Sequence, residues 1–284
     1  MTIFTVANLQ YTATAHEDET MAIIRDLIKQ AAGADLICLP ECATRMDPDK
    51  ARLLDGADHE AESQSLEELK SLAREASCYL SAGSIILRHD EPSTRGKLAN
   101  RSLLITPEGQ IAGRYDKLHM FDADVGDGRR YDESALYAPG DKAVLATTAL
   151  GVIGMTICYD LRFPHLYQAL GQAGAEVMLV PSAFTKASGE AHWHSLLRAR
   201  AIETGSFVIA AAQTGTHDAG PGATARQTYG HSLIINPWGE VLADGGDAPG
   251  VTMARIDTGA VERARQSIPA ITTARAFTLE KMSG

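Results

Sequence analysis

The sequence predicts an α/β protein: two mixed sheets covered by helices on their outer faces. Three observations predict it. Short apolar runs alternate with amphipathic stretches along the 284 residues. The alternation is played out twice, once in each half of the chain. Each half also carries two apolar runs joined by a turn, Pro107-Glu108-Gly109 in the first and Asn236-Pro237-Trp238-Gly239 in the second, which reads as a hairpin. No short-period repeat and no linker-like shift in composition divides the chain. It is therefore read as one domain over 1–284, with a C-terminal tail from about 269.

Residues 2–9 alternate Ile3, Val6 and Leu9 imperfectly and read as a strand. Residues 16–32 place Met21, Ile24, Ile28 and Ala31 on one helical face, and Gly33 stops that helix. Residues 35–39 form a short buried strand ended by Pro40. Ser65 with Glu68 makes a capping box for a helix carrying Leu66, Leu69, Leu72, Ala73 and Ala76. Strands follow at 79–87, 101–106 and 111–115. In the second half, strands are expected at 151–158, 176–180, 206–212, 230–235 and 251–256. Helices are expected at 164–173, with Phe163, Leu166, Tyr167 and Leu170 on one face, and at 190–204, stopped by Gly205. Residues 121–139 and 214–228 resist regular structure. Loops of that length are often functional; for 214–228 a plain solvated loop is an equal reading.

Composition bounds the partners. Lys and Arg total 26 against 36 Asp and Glu, a net charge of −10, with 45% hydrophobic and 22% charged residues. Such a chain can bury a core, and an acidic surface repels nucleic acid and anionic membranes. The longest apolar runs, such as 207–212, fall far short of a membrane span. The N-terminus lacks a basic segment and its apolar run is broken by Asn8 and Gln10, so no signal peptide is read and the cytoplasm is the expected location. Four cysteines (Cys38, Cys42, Cys78, Cys158) without a CxxC pattern read as free thiols. Asn100-Arg101-Ser102 matches a glycosylation acceptor, which a cytosolic chain would never use.

Phosphate-loop, dinucleotide-loop, nucleophile-elbow and HExxH patterns are absent. His192 and His194 are two apart on an expected helix and point in different directions, so no metal and no cofactor are expected. His119, His165 and His231 read as structural hydrogen-bonders. Three chemistry-bearing residues remain at the ends of apolar runs: Glu41 after DLICLP, Lys117 after IAGRY and Cys158 after GVIGMTI. Carboxyl ends of strands are where α/β proteins bind ligands. Singly, each has a plain reading: a turn carboxylate, a surface lysine, a small core hydrophobe.

The blocks around these residues resemble the nitrilase superfamily of carbon–nitrogen hydrolases. They are LICLPE ending at Glu41, GRYDKLHMFD around Lys117, YDESALYAPG with Glu133, and GMTICYDLRFP around Cys158. LVPSAF, AHWHSLLRARAIE, AAAQTG and YGHSLIINPWGEVLAD extend the likeness over almost the whole chain. CYDLRFP, GEAHWHSLLRARAIE, AAAQTGTH and YGHS are most similar to the branch of deaminated glutathione amidases and omega-amidases. Asp116 and Glu190 depart from that branch, where Arg and Pro are frequent.

The resemblance implies a four-layer α-β-β-α sandwich and a cysteine-dependent amidase acting on a small carboxylated amide. Deaminated glutathione leads as substrate; α-ketoglutaramate and N-carbamoyl acids are alternatives. A catalytically silent binding protein is the reading from another class, against which the intact Glu41, Lys117 and Cys158 stand. In the implied mechanism Cys158 attacks, Glu41 is the base with its pKa raised by burial, and Lys117 with the Tyr159 N–H stabilises the oxyanion. Glu133 orients Lys117 or the amide, or is purely structural. Arg162 grips the substrate carboxylate, or pairs with Asp160. Ala183, Phe184 and Thr185 line the pocket beside Ser182, with His192 approaching it. A homodimer or higher oligomer is implied, with the 162–174 and 190–204 helices at the interface and the tail after Ile268 crossing it. Trp193, Leu196, Leu197 and Ala201 read equally as dimer seam or internal core.

Overall fold

The computed structural model describes residues 2–89, 94, 96–219 and 224–282. Among them a seven-stranded and a six-stranded sheet stack face to face. The first runs in the order Gly250–Asp257, Ile3–Gln10, Leu36–Cys38, Tyr79–Ser81, Leu98–Ile105 and Ile85–Arg88, with Ile111–Asp116 also paired to Leu98–Ile105. The second runs Val241–Asp244, Leu233–Ile235, Phe207–Ala210, Val177–Leu179, Gly151–Met155 and Val144–Thr148.

The two-residue period of the strands builds the layers. Phe4, Val6, Leu36 and Cys38 point inward to one core shared with Met155, Val177, Leu179 and Ile209 of the second sheet. Their neighbours Ala7, Leu9, Ile37 and Leu39 point outward to a second core under the helices Glu17–Gln30 and Gln64–Ala76. Met21, Ile24, Leu27 and Ile28 recur at helical spacing and are buried there, each contributing about 1.5–3 kcal/mol. The helices Pro164–Gln172 and Lys186–Thr204 cover the other outer face. The four layers are those of a nitrilase-like sandwich.

Several expectations are corrected. The Gln64–Ala76 helix is capped by Ser63, whose hydroxyl accepts from the Leu66 N–H, and not by Ser65; Glu68 turns instead to Arg25. The strand expected at 79–87 is two strands, broken at residues 82–84. Gly83 lies at φ +63°, and a β-carbon there would sit 1.9 Å from the Pro40 carbonyl oxygen. Only a glycine allows that approach. The Lys186–Thr204 helix begins four residues early. Residues 121–139 hold a ribbon of Asp122–Asp124 with Arg130–Asp132, and 214–228 hold Thr214–Thr216, paired with Gln227–Tyr229; residues 220–223 of that segment lie outside the described ones. Trp193, Leu197 and Ala201 are fully buried within the chain, so the seam they form is internal core.

Candidate active site

Glu41, Lys117 and Cys158 meet at one edge of the sandwich. Glu41 follows Leu36–Cys38, which has parallel neighbours on both sides, and Cys158 follows Gly151–Met155, which is parallel to Val177–Leu179; each lies at the carboxyl end of its strand. Lys117 follows Ile111–Asp116, which two antiparallel reversals return to the direction of Tyr79–Ser81. Three strand ends from two sheets therefore open on the same edge, as expected for an α/β ligand site. The broken strand serves Glu41: Ala43 N–H donates to the Ser84 carbonyl (2.7 Å) and Cys42 N–H to the Ser84 hydroxyl (3.0 Å).

The Lys117 Nζ donates to Glu41 Oε1 at 2.8 Å and contacts both Glu133 oxygens at 2.9 and 2.8 Å. Asn100 Nδ2 bridges the same carboxylates, at 3.0 Å to Glu41 and 3.2 Å to Glu133. Glu41 Oε2 accepts from the Ala183 N–H at 2.9 Å, and Glu133 Oε2 from the Phe121 N–H at 2.6 Å. The Cys158 thiol is buried beside Glu41.

Charge follows from this packing. Burial alone would raise the Glu41 carboxyl, as the sequence led one to expect. The adjoining Lys117 ammonium outweighs it and holds Glu41 below the usual carboxylate range. Burial would lower Lys117; the charges of Glu133 and Glu41 overcome it and hold the ammonium well above its ordinary value. Burial, then the negative Glu41, push the Cys158 thiol well up, against the pull of Lys117. These directions make the resting site a carboxylate, an ammonium and a thiol.

Cys158 opens a 3-10 turn, Cys158–Arg162, at φ +48°, with its N–H donated to the Pro181 carbonyl at 3.0 Å. Asp160 pins this turn. Its carboxylate accepts from the Ile157 N–H (2.9 Å), the Tyr115 hydroxyl (2.6 Å) and the His119 N–H (3.1 Å), and lies 2.7 Å from His119 Nδ1.

A cavity of about 230 Å³ opens over these groups. Glu41, Lys117, Glu133, Cys158, Tyr159, Ala183, Phe184 and Thr185 all line it. Arg162 and His192 do not. The Arg162 guanidinium carbon lies over the Phe184 ring, 5.1 Å from its centroid, and both terminal nitrogens lie 3.3 Å from His192 Nδ1. The alternative pairing of Arg162 with Asp160 is not formed, because Asp160 is engaged by Tyr115 and His119.

Three residues were missed. Asn100 looked like a glycosylation acceptor yet is 2% exposed between two carboxylates. Asp160, two residues after Cys158, reads in the sequence only as a partner for Arg162 and not as the residue that pins the turn. Arg226, from the irregular 214–228 segment, lines the cavity and donates to the Ala183 carbonyl. The sequence placed these on three separate elements, and only the fold joins them. Elsewhere, His194, His231 and Asp244 bring one ligand-type atom each within 4.8 Å of one another, but none of the three lines the cavity. Among the described residues no helix is long and apolar enough to cross a membrane.

A carboxylate, an ammonium and a thiol converging at the strand ends of this sandwich define a hydrolase of carbon–nitrogen bonds, and the chain belongs to that family: the carbon–nitrogen hydrolase model matches residues 5–266. The deaminated glutathione amidase of Yersinia enterocolitica is 38% identical over 269 residues, covering 94% of this chain and 91% of its own. The human deaminated glutathione amidase is 38% identical, over 93% of this chain and 80% of its own. Among solved structures, the Caenorhabditis elegans NitFhit protein superposes with a TM-score of 0.86 at 34% identity; 96% of this chain matches 65% of that one. Saccharomyces cerevisiae Nit3, described as a member of branch 10 of the nitrilase superfamily, gives 0.79 at 28% identity, over 94% of both chains.

Proposed function

We propose that this protein is a cysteine-dependent amidase that hydrolyses a small carboxylated amide through a thioester, with deaminated glutathione as the leading substrate. One observation carries the mechanism: a buried ammonium shared by Glu41 and Glu133 beside the thiol of Cys158. The 38% identity to deaminated glutathione amidases supports the substrate.

In this mechanism Cys158 attacks the amide carbon as its proton passes to Glu41. The carbonyl oxygen becomes an oxyanion beside the Lys117 ammonium and the Tyr159 N–H. Glu41 returns the proton to the departing nitrogen, and the thioester remains. Water then gives a proton to Glu41 as it attacks, and Glu41 passes that proton to the sulfur as the acid leaves. Glu133 and Asn100 position Lys117. Ala183, Phe184 and Thr185 wall the substrate. No cofactor enters any step.

We further take the enzyme to be a cytoplasmic homodimer or higher oligomer. Exposed apolar side chains support this: Ile202 and Trp238 on one face, and Phe277, Leu279 and Met282 along the tail.

The test is product release measured across deaminated glutathione, α-ketoglutaramate, N-carbamoyl acids and simple nitriles. Turnover highest on deaminated glutathione supports the full reading. Turnover highest on α-ketoglutaramate moves the enzyme to the omega-amidase assignment, and none on any amide overturns the reading.

A further inference from the structure

We propose that Arg226 is the anchor for the substrate's carboxylate, the role that Arg162 was expected to fill. The inference rests on the amidase reading of the same cavity. Arg226 reaches the cavity from the Gln227–Tyr229 side of the small ribbon. One terminal nitrogen donates to the Ala183 carbonyl, and Ala183 in turn donates its N–H to Glu41. The guanidinium carbon lies 5.3 Å from the centroid of the Tyr131 ring, which fixes its plane. Its Nε is buried and has no hydrogen-bond partner.

A buried donor without a partner costs free energy, and a charged group costs more. Among the described residues no carboxylate is paired with Arg226. Glu41 and Glu133 are both engaged by Lys117. The remaining cations of the cavity are differently disposed. Lys50 and Arg130 are exposed, and Arg129 donates to the Thr224 carbonyl. Among the described cations of the cavity Arg226 alone combines a held guanidinium, a buried unpaired N–H and a hydrogen bond to Ala183, the residue whose N–H donates to Glu41. A planar fork of N–H donors so fixed matches a carboxylate. Bound there, an acid group satisfies the open Nε–H and is neutralised by the guanidinium. It also sets the distance from the acid group to the amide at Cys158, so chain length becomes a criterion of specificity.

The acid group has two possible sources on deaminated glutathione, which carries a carboxylate on each side of the scissile amide. α-Ketoglutaramate carries one on the acyl side only. The experiment compares kcat and KM of the wild type, R226Q and R226K on these two amides and on a neutral amide of similar length, valeramide. Glutamine can still donate to the Ala183 carbonyl but carries no charge. Expected is a KM increase in R226Q for the carboxylated amides that exceeds the neutral-amide change by at least about tenfold, the scale of a charged hydrogen bond. R226K is expected to recover part of it. A loss on both carboxylated amides assigns the acyl-side carboxylate; a loss confined to deaminated glutathione assigns the other. Equal losses on acid and neutral amides, or none, overturn the proposal.

Binding separates this result from the amidase reading. Calorimetric titration of α-ketoglutarate and of cysteinylglycine into C158A and into C158A/R226Q probes the two sources without turnover. Weaker binding of either in the double variant supports the anchor even for an enzyme that turns over no amide; equal binding of both refutes it even for one that does.

Discussion

Lys117 and Glu41 form a 2.8 Å ion pair whose side chains are 2% and 5% exposed, and Glu133 pairs with the same ammonium at 2.8 Å. Two buried carboxylates thus share one cation. Removing either partner of such a pair leaves an uncompensated charge and costs on the order of 3–5 kcal/mol.

Lys117→Met therefore has two expected signatures. Turnover should fall by roughly 100-fold or more, the scale of one lost oxyanion donor. The pH dependence of stability should also change sign. In the wild type Glu41 titrates below its ordinary value, 4.5, because Lys117 opposes the effect of burial. The folded state then binds fewer protons than the unfolded one, and this stability is lost as pH falls from about 4.5 through the folded value. In the variant the carboxylates are buried without the ammonium and take up protons more readily when folded, so stability rises on acidification towards pH 5. Denaturant melts of both proteins at pH 5 and pH 7 check this; parallel responses would contradict the shared-cation geometry.

Cys158→Ala should abolish amide hydrolysis with an unchanged circular dichroism spectrum. With iodoacetamide the wild type should lose one thiol first. Cys158 has Glu41 as a local base. Cys38 and Cys78 are buried and line no part of the cavity, and Cys42, which does line it, is the internal comparison. Glu41→Gln should slow labelling of Cys158 in particular, as read by peptide mass spectrometry. Uniform labelling of all four thiols would remove the nucleophile assignment.

Asn100→Leu withdraws the amide donor that touches both carboxylates, at 3.0 and 3.2 Å. Each charged hydrogen bond is worth about 1.5–3 kcal/mol. Turnover should fall by at least about tenfold, and the acid limb of kcat should move up because Glu41 loses a donor to its charged form. A stability loss with kcat and its pH profile unchanged would make Asn100 purely structural.

His217 predicts an acid-sensitive fold. Its Nε2 lies 2.8 Å from the Thr228 hydroxyl and its Nδ1 3.0 Å from the Ala13 carbonyl. Burial lowers it from 6.5 to about 4. Between those values the unfolded chain holds a proton that the folded chain does not, so stability falls as pH drops from 6.5 to 4. The loss is on the order of 3 kcal/mol. His217→Gln should flatten that part of the stability–pH curve in chemical denaturation.

The layers and the reactive residues were legible because they rest on short-range signals. Met21, Ile24 and Ile28 at helical spacing gave a helix; Glu41, Lys117 and Cys158 each closed an apolar run. What escaped depends on long-range approach. Asn100 reaches the Glu41 and Glu133 carboxylates from a separate strand. The sign of the Glu41 shift needed the distance to Lys117, which no local pattern contains. The Arg162–His192 contact joins residues 30 apart, which no local pattern shows. The strand break at residues 82–84 showed only as Gly83 between apolar runs.

That glycine acts as a gauge block. The missing side chain sets how closely the Gly83 backbone may lie beside Pro40, and Glu41 is the next residue along. Any atom added at 83 reaches the carboxylate as a displacement before it reaches the core as lost packing. Proton transfer tolerates little: an error of about an ångström can cost on the order of 100-fold in rate. The tolerance of the chemistry is thus written, in this chain, into the absence of one methyl group.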